Sequence, residues 1–442
     1  MRESARAWID AVASAFTELP GTEPAESGED GPIGWPGYDE ARTRAAERTG
    51  EPESVVCGVG KVGRTEAVLV SFEFSFLGGS LGGRTGLRIE RAFARARELG
   101  APVVSLIATG GSRMQEGMRA LTQLQRLARA AALTGKAGVP QVAVLRDPTT
   151  GGGWATLGAG ADVTLALAGA QVGFAGSRVR PEGEPAAYTA EGQLESGHVD
   201  QVVELARLRE ALERWLRLLT TPAPEAVPPP PALGSVDVPR TGWDAVRRAR
   251  DPRRPRAMSY LDSYFDWRED ISGDRCGGVD AGVVCGFGWR DGAAVAYATQ
   301  CGTPTRPAGF RTAARLVRLA DRLGIPVLTL VDTPGAANDA DAERAGVGPA
   351  IAELFAAVAG ATVPVTTLVI GEGGSGGALA FAAPERTWVT PDSYFSVTSP
   401  EAAASILKRA DEEVPETADR LRLRPQDLVG LGIARGIVGP AR

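Results

Sequence analysis

The feature that most constrains how this chain folds is a repeat at a fixed offset of 224 residues. Ala101-Pro102-Val103-Val104-Ser105-Leu106 parallels Ile325-Pro326-Val327-Leu328-Thr329-Leu330. Thr109 before Gly110-Gly111 parallels Thr333 before Pro334-Gly335. Val139-Pro140 parallels Val363-Pro364, and Gly152-Gly153 parallels Gly376-Gly377. Chance supplies one or two such matches; this many in one register, without a gap, mark an internal duplication. The period is far longer than that of a solenoid. The chain is read as two homologous domains, 1–219 and 241–442, joined by a Pro-rich linker, 220–240. That linker carries four successive prolines, 228–231, which favour polyproline II and cannot hold a core helix.

Each half repeats one pattern. A helix (87–99; 310–323) precedes a short apolar run after proline (102–107; 326–331), which reads as a buried strand ending in a glycine turn. A second helix (114–132; 343–359) leads to a second strand (139–145; 363–370). That strand ends in a Gly-rich turn, and an Ala-rich helix follows. Strands alternating with helices predict an α/β fold with a mostly parallel sheet and crossover helices in each half.

The formal net charge of −6 argues against a nucleic-acid partner. Cys57, Cys276, Cys285 and Cys301 show no C-x-x-C spacing, so no structural zinc is expected and the cysteines read as free thiols of a reducing cytoplasm. Arg2, Glu3, Arg6 and Asp10 interrupt the first nineteen residues, which read as an amphipathic helix rather than a signal peptide. No window is apolar enough for a membrane span. The arginine-rich run 247–256 is a candidate contact for phosphates, although a solvated helix end is its commoner use.

A strand, then glycines, then a helix start places backbone N–H groups without intrahelical partners at a polar cavity. Glycine admits a ligand close to that backbone. Such a device holds a phosphate or a developing oxyanion. No GxxxxGK[ST] or GxGxxG motif favours the phosphate. His198 is the single histidine and no GxSxG elbow occurs, so general-base chemistry has no obvious agent in two sites. A helix-capping role suits His198 better. Oxyanion stabilisation with proximity suits this chain.

At these residues the sequence resembles a known family. The stretches 74–82, 108–117 (ATGGSRMQEG), 148–152, 173–179 and 194–200 look like the β subunit of the bacterial acetyl-CoA carboxylase carboxyltransferase. The stretches 243–255, 273–275, 332–336 (DTPGA), 371–380 (GEGGSGGALA) and 394–407 look like its α subunit. Order and spacing resemble a β–α fusion. The resemblance implies two crotonase-like domains and transfer of a carboxyl group from carboxybiotin to an acyl-CoA, with acetyl-CoA giving malonyl-CoA. By analogy, N–H groups around Gly151 and Gly152 hold the thioester enolate oxygen, and those around Gly376, Gly377 and Ala378 hold the biotin ureido oxygen. Gly110, Gly111 and Gly335 shape the adjoining walls. Arg84, Arg113 and Arg178 are candidate CoA contacts, with Arg113 alternatively pairing with Glu116.

The resemblance also implies a site between an N-half and a C-half, commonly across a homodimer or higher homo-oligomer. No Lys is flanked by Met and no ATP-binding segment is evident, so biotin carboxyl carrier protein and biotin carboxylase are expected as separate chains. The family's four-Cys ribbon is absent from this sequence, the basic stretch near 300–310 is shortened, and 336–340 departs from the family's pattern. A biotin-independent decarboxylase of a malonyl-type thioester, or an inactive scaffold subunit, are the alternatives.

Overall fold

A computed structural model of the chain describes residues 3–21, 28–181 and 183–440. It divides into two units, Met1–Thr220 and Thr221–Arg442. The first unit holds β1 (Phe16–Glu18), β2 (Val55–Val62), β3 (Thr65–Phe72), β4 (Val103–Thr109), β5 (Gln141–Thr150), β6 (Val163–Leu167), β7 (Val172–Gly173) and β8 (Gln201–Val203). They form one sheet in the order β1-β2-β3-β4-β5-β6-β8, with β7 beside β5. The β1–β3 edge is antiparallel; from β3 onward every pair is parallel.

The second unit holds β9 (Trp267–Ile271), β10 (Val283–Arg290), β11 (Ala293–Gln300), β12 (Val327–Thr333), β13 (Val365–Gly374), β14 (Thr387–Val389), β15 (Tyr394–Ser396) and β16 (Gly436–Ile437). Their order is β9-β10-β11-β12-β13-β14-β16, with β15 beside β13. The fold is thus a duplicated α/β unit with a mixed sheet.

The duplication is literal in the core. Helices Gly83–Leu99 and Pro307–Leu323 start and stop 224 residues apart, as do Gln123–Lys136 and Val347–Gly360. The first pair ends on Gly100 (φ +62°) and Gly324 (φ +70°), the left-handed closure that glycine accepts without a Cβ penalty. Every residue of β4 and of β12 is buried, as strands covered on both faces must be. In both sheets the register slips just before the turn, so Thr109 pairs with Thr149 and Thr333 with Gly373.

In the first unit, Ile89 and Phe93 of helix Gly83–Leu99 and Leu127 of helix Gln123–Lys136 pack on Val68, Val103, Ile107 and Leu145. Each such side chain contributes about 1.5–3 kcal/mol when fully buried. Helices Ala5–Val12 and Leu208–Thr220 supply further buried side chains, among them Ile9, Leu212 and Trp215.

Four elements depart from the sequence expectation. The N-terminal helix stops at Val12, and Phe16–Glu18 pairs with β2 instead. The second crossover helix begins at Gln123 rather than at 114; before it the chain forms only two short turns, Met114–Glu116 and Met118–Leu121, separated at Gly117 (φ +54°, ψ −136°). Each half also opens with a hairpin that apolar runs alone did not single out. Asp291 (φ +51°) and Gly292 (φ +84°) turn the second hairpin, and an Asp-Gly pair was its sequence signal. Finally, the proline segment lies on the second unit. Thr366 Oγ1 donates to Val227 O (2.8 Å), Tyr264 OH donates to Pro228 O (2.7 Å), and Val227 is buried. No helix among the described residues is long and apolar enough to cross a membrane.

Candidate active site

The chain leaves β4 and β12 through turns built from the same bonds. Gly111 N–H donates to Thr109 Oγ1 (3.0 Å) and Gly335 N–H to Thr333 Oγ1 (3.1 Å). Leu81 N–H donates to Gly111 O (2.8 Å), and Thr305 N–H to Gly335 O (3.0 Å). Arg113 N–H returns to Leu81 O, and Ala337 N–H to Thr305 O, both at 2.9 Å. Every one of these residues sits 224 positions from its counterpart.

The turns after β5 and β13 meet the first pair at close range. Gly151 has φ +63°, and a Cβ on it would lie 3.0 Å from Gly111 Cα. A Cβ on Gly374 would lie 2.0 Å from Pro334 O, and one on Gly377 would lie 2.3 Å from Ala336 N. Only glycine lets these backbones approach. At the position equivalent to Gly151 the second unit has Ser375, exposed and held at φ +55°. A left-handed non-glycine residue stores about 1–2 kcal/mol, and such strain gathers at functional turns.

The donors divide accordingly. Gly110 N–H is taken by Gly78 O (2.9 Å) and Gly151 N–H by Phe174 O (3.0 Å), which corrects the expectation that the Gly151 N–H holds an oxyanion. The helix starts remain: Gly152 and Gly153 in one unit, Gly376 and Gly377 in the other, where backbone N–H groups have no acceptor within their own helix. Ala378 is fully buried one residue further in. The two starts differ in the space around them. A Cβ on Gly152 would strike Leu124 at 2.3 Å, whereas one on Gly376 would meet nothing within 4 Å. The counterpart of Leu124 is Gly348, so a missing side chain opens the second turn.

Polar side chains brace each turn from behind. Arg113 lies inside the protein, with none of its side chain exposed. It binds Glu53 through Nη2, Glu116 Oε1 through Nη1 (3.1 Å), Tyr38 OH (3.2 Å) and Ser80 Oγ (3.1 Å). This corrects the expectation that Arg113 contacts CoA, because its donors are committed internally and no face is left for a ligand. Burial alone would push the Glu53 carboxyl up; the Arg113 charge and its hydrogen bonds outweigh that and hold it down at about 2. Arg84 is half-buried in the first turn of helix Gly83–Leu99, and Arg178 is exposed after β7.

In the second unit Asp332 does the corresponding work. Its carboxylate accepts from Arg254 Nη2 (2.6 Å), Arg256 Nη1 (3.3 Å) and Glu372 N–H (3.1 Å), while its carbonyl accepts from Gly302 N–H (2.7 Å). It ties the ends of β12 and β13 to the loop 301–306. Gln300 donates to Gly377 O and to Thr305 Oγ1, both at 3.0 Å. The arginine run is divided: Arg254 is buried, whereas Arg247 and Arg253 stand exposed. Arg250 pairs with Glu372 (2.8 Å) and Glu401 (2.6 Å), Arg248 with Asp244 (3.0 Å), and Arg253 with Asp251 (2.8 Å). Neither Glu53 nor Asp332 was recognisable as a brace from sequence, since their partners lie 60 and 78 residues away.

A cavity of about 560 Å³ adjoins the Gly335 turn, lined by Asp280, Cys301, Thr303, Arg306, Ala337 and Asp339 among others. Burial pushes the Cys301 thiol up to about 11. Arg306, the cation of the shortened loop, pairs with Asp339 (3.0 Å). His198 contacts Gln193 Oε1 (3.2 Å) and its N–H closes on Gln193 O (2.8 Å), a structural position at a helix end. The four cysteines are free thiols, and no group of three or more His, Cys, Asp or Glu among the described residues is arranged to hold a metal ion.

Glycine turns thus stand at equivalent positions in two duplicated α/β units. Residues 36–231 match the family model described as carboxyl transferase domain, and residues 239–441 match acetyl co-enzyme A carboxylase carboxyltransferase-like. The acetyl-coenzyme A carboxylase carboxyl transferase subunits beta/alpha of Saccharopolyspora erythraea are 38% identical over 425 residues, covering 91% of this chain and 74% of that protein. A Mycobacterium bovis protein named "Probable biotin-dependent acyl-coenzyme A carboxylase beta3 subunit" is 34% identical over 411 residues, 90% of this chain and 82% of that one. Among solved structures, the transcarboxylase 12S hexamer with hydrolysed methylmalonyl-coenzyme A bound superposes with a TM-score of 0.81 at 22% identity, over 100% of this chain and 87% of its own. The chain belongs to the acetyl-CoA carboxylase carboxyltransferase family, with its β-type and α-type halves fused and both built on the crotonase-like fold.

Proposed function

We propose that this enzyme carries a carboxyl group from carboxybiotin, borne on a separate carrier protein, to the α-carbon of acetyl-CoA, giving malonyl-CoA. The observation that carries this reading is the pair of helix starts at Gly152-Gly153 and Gly376-Gly377, each packed against a glycine turn whose hydrogen bonds repeat at the 224-residue offset. Two carbonyl oxygens must be held in such a transfer, and the chain has two equivalent devices to hold them.

In the first unit, Gly152 and Gly153 present N–H groups to the thioester oxygen as negative charge develops on it in the enolate. Preformed donors of this kind contribute about 3–4 kcal/mol each to a transition state. Gly111, facing Gly151, keeps the two turns together. In the second unit the residues fit a ureido carbonyl: Gly376 and Gly377 present N–H groups, and the open face of Gly376 admits a ring. Biotin, when bound there, supplies the carboxyl group and a nitrogen able to accept the α-proton. No side-chain base is then required of a chain with one histidine. The reading also implies a homodimer or higher homo-oligomer, and partner biotin carboxylase and carrier chains.

The test follows loss of CO2 from malonyl-CoA and methylmalonyl-CoA by the purified chain, with and without biocytin. Release that requires biocytin is the expected result. Release without it makes the protein a decarboxylase, and no release with either thioester overturns the assignment. The shortened, self-paired loop around Arg306 favours a carrier-bound thioester as the second substrate to try.

A further inference from the structure

A second cavity lies away from the glycine turns. It measures about 430 Å³ and is lined by Glu3, Trp8, Phe74, Ala108, Arg146, Asp147, the 167–170 segment, Glu204 and Leu205. Its lining comes from the carboxyl-terminal halves of β4, β5 and β6 and from the residues just after β6 and β8, the end of a parallel sheet where ligand crevices form. Strand alternation puts it on the other side of the sheet from the first glycine turn. Ile107 and Thr109 side chains face Gly153, at 3.7 and 2.3 Å from where its Cβ would stand, so Ala108 points the opposite way. Trp8 and Glu3 lie in a segment that the family models do not cover.

Arg146 is the unusual member. It is 3% exposed, yet it has no carboxylate within ion-pair distance among the described residues. Its guanidinium donates to Phe72 O and lies over the Trp8 ring, 4.8 Å from the centroid, while Nε has no hydrogen-bond partner. Holding a buried cation this way costs stability unless something bound there compensates it. Burial pulls its pKa down to about 9, with Glu73 and Glu3 acting in the opposite direction.

The lining also selects the ligand. A simple anion would meet Arg146 but also three carboxylates, Glu3, Asp147 and Glu204. A simple cation would meet Arg146 as a like charge. A zwitterion satisfies both, its carboxylate on Arg146 and its ammonium toward the acidic rim. Trp8, Phe74, Leu167 and Leu205 accept an apolar side chain. The volume is in the range of ordinary small-molecule pockets. We propose that this cavity binds a zwitterionic amino acid with an apolar side chain, anchored by Arg146, at a site separate from the glycine turns.

The test is calorimetric titration of the full chain with L-phenylalanine and L-leucine, against 3-phenylpropionate and phenethylamine. L-Phenylalanine or L-leucine is expected to bind, with the two single-charge analogues at least tenfold weaker. Arg146→Met should abolish binding. Because a buried position is altered there, Glu204→Gln at the exposed rim serves as the second variant. It should weaken L-phenylalanine several-fold while leaving 3-phenylpropionate unweakened. Failure of both amino acids to bind, equal binding by 3-phenylpropionate, or L-phenylalanine binding unchanged in both variants would overturn the proposal.

Discussion

Replacing Gly377 with alanine adds one methyl group at a place the structure leaves no room for it. The new Cβ would stand 2.3 Å from Ala336 N and 2.8 Å from Gly335 C, both backbone atoms. Ordinary van der Waals separation needs about 3.5–4.0 Å, so the turn must retreat by about 1 Å. Overpacking of this kind costs about 1–3 kcal/mol. For a unit of this size each kcal/mol lowers the melting temperature by about 2–4 °C, so a drop of about 2–12 °C is expected by calorimetry. A misplacement near 1 Å also lowers turnover about 100-fold, read as biocytin-dependent CO2 release from malonyl-CoA. The neighbouring Gly376→Ala is the control. Its Cβ meets nothing within 4 Å, so the melting temperature should hold while the occupied open face costs activity. Wild-type stability and turnover in Gly377→Ala would refute the argument from close backbone approach.

Three other outcomes follow from the buried charges and the turn strain. Glu53 titrates at about 2 in the folded state against 4.5 unfolded, so its contribution is complete above pH 4.5 and is lost as pH falls toward 2. That depression is worth about 3 kcal/mol, and Glu53→Gln should flatten the stability profile across this window in acid unfolding curves. Asp332→Ala should cost about 3–5 kcal/mol in denaturant titration by stranding Arg254, and Arg254→Met combined with Asp332→Leu should recover much of it. Ser375→Gly should stabilise the second unit by about 1 kcal/mol, unless the strained serine is held by something bound to it; an unchanged midpoint would count against strain at this turn.

Much of the architecture was legible in the chain. The 224-residue offset, noticed in short motifs, reappears in helix ends, strand ends and single hydrogen bonds at the turns. Both glycine turns were recognisable because glycine at a strand end leaves a local signature. The hairpins were less so, although Asp291-Gly292 is a strong turn pair, because their strands lack the apolar run after proline that marks β4 and β12. Arg113 was misplaced for a different reason. A short-range partner, Glu116, was visible at helical spacing, but Glu53 comes from before the hairpin, and only its approach shows the guanidinium to be enclosed. In the arginine run 247–256 the exposed Arg247 and Arg253 suit a solvated helix end, while the ion pairs of Arg254 with Asp332 and of Arg250 with Glu372 came only with the tertiary structure.

The sequence by itself determined what is local or repeated: the duplication, the alternation of helix and strand, the glycine turns and the family they resemble. These follow from periodicity and backbone freedom, which act over a few residues. Only the tertiary structure decided which N–H groups are consumed within the turns, that Gly348 leaves open at Gly376 what Leu124 fills at Gly152, and that Arg146 is buried with no carboxylate at ion-pair distance among the described residues. Those depend on atoms tens of residues apart arriving within a few ångströms of one another, and packing alone fixes which of them meet.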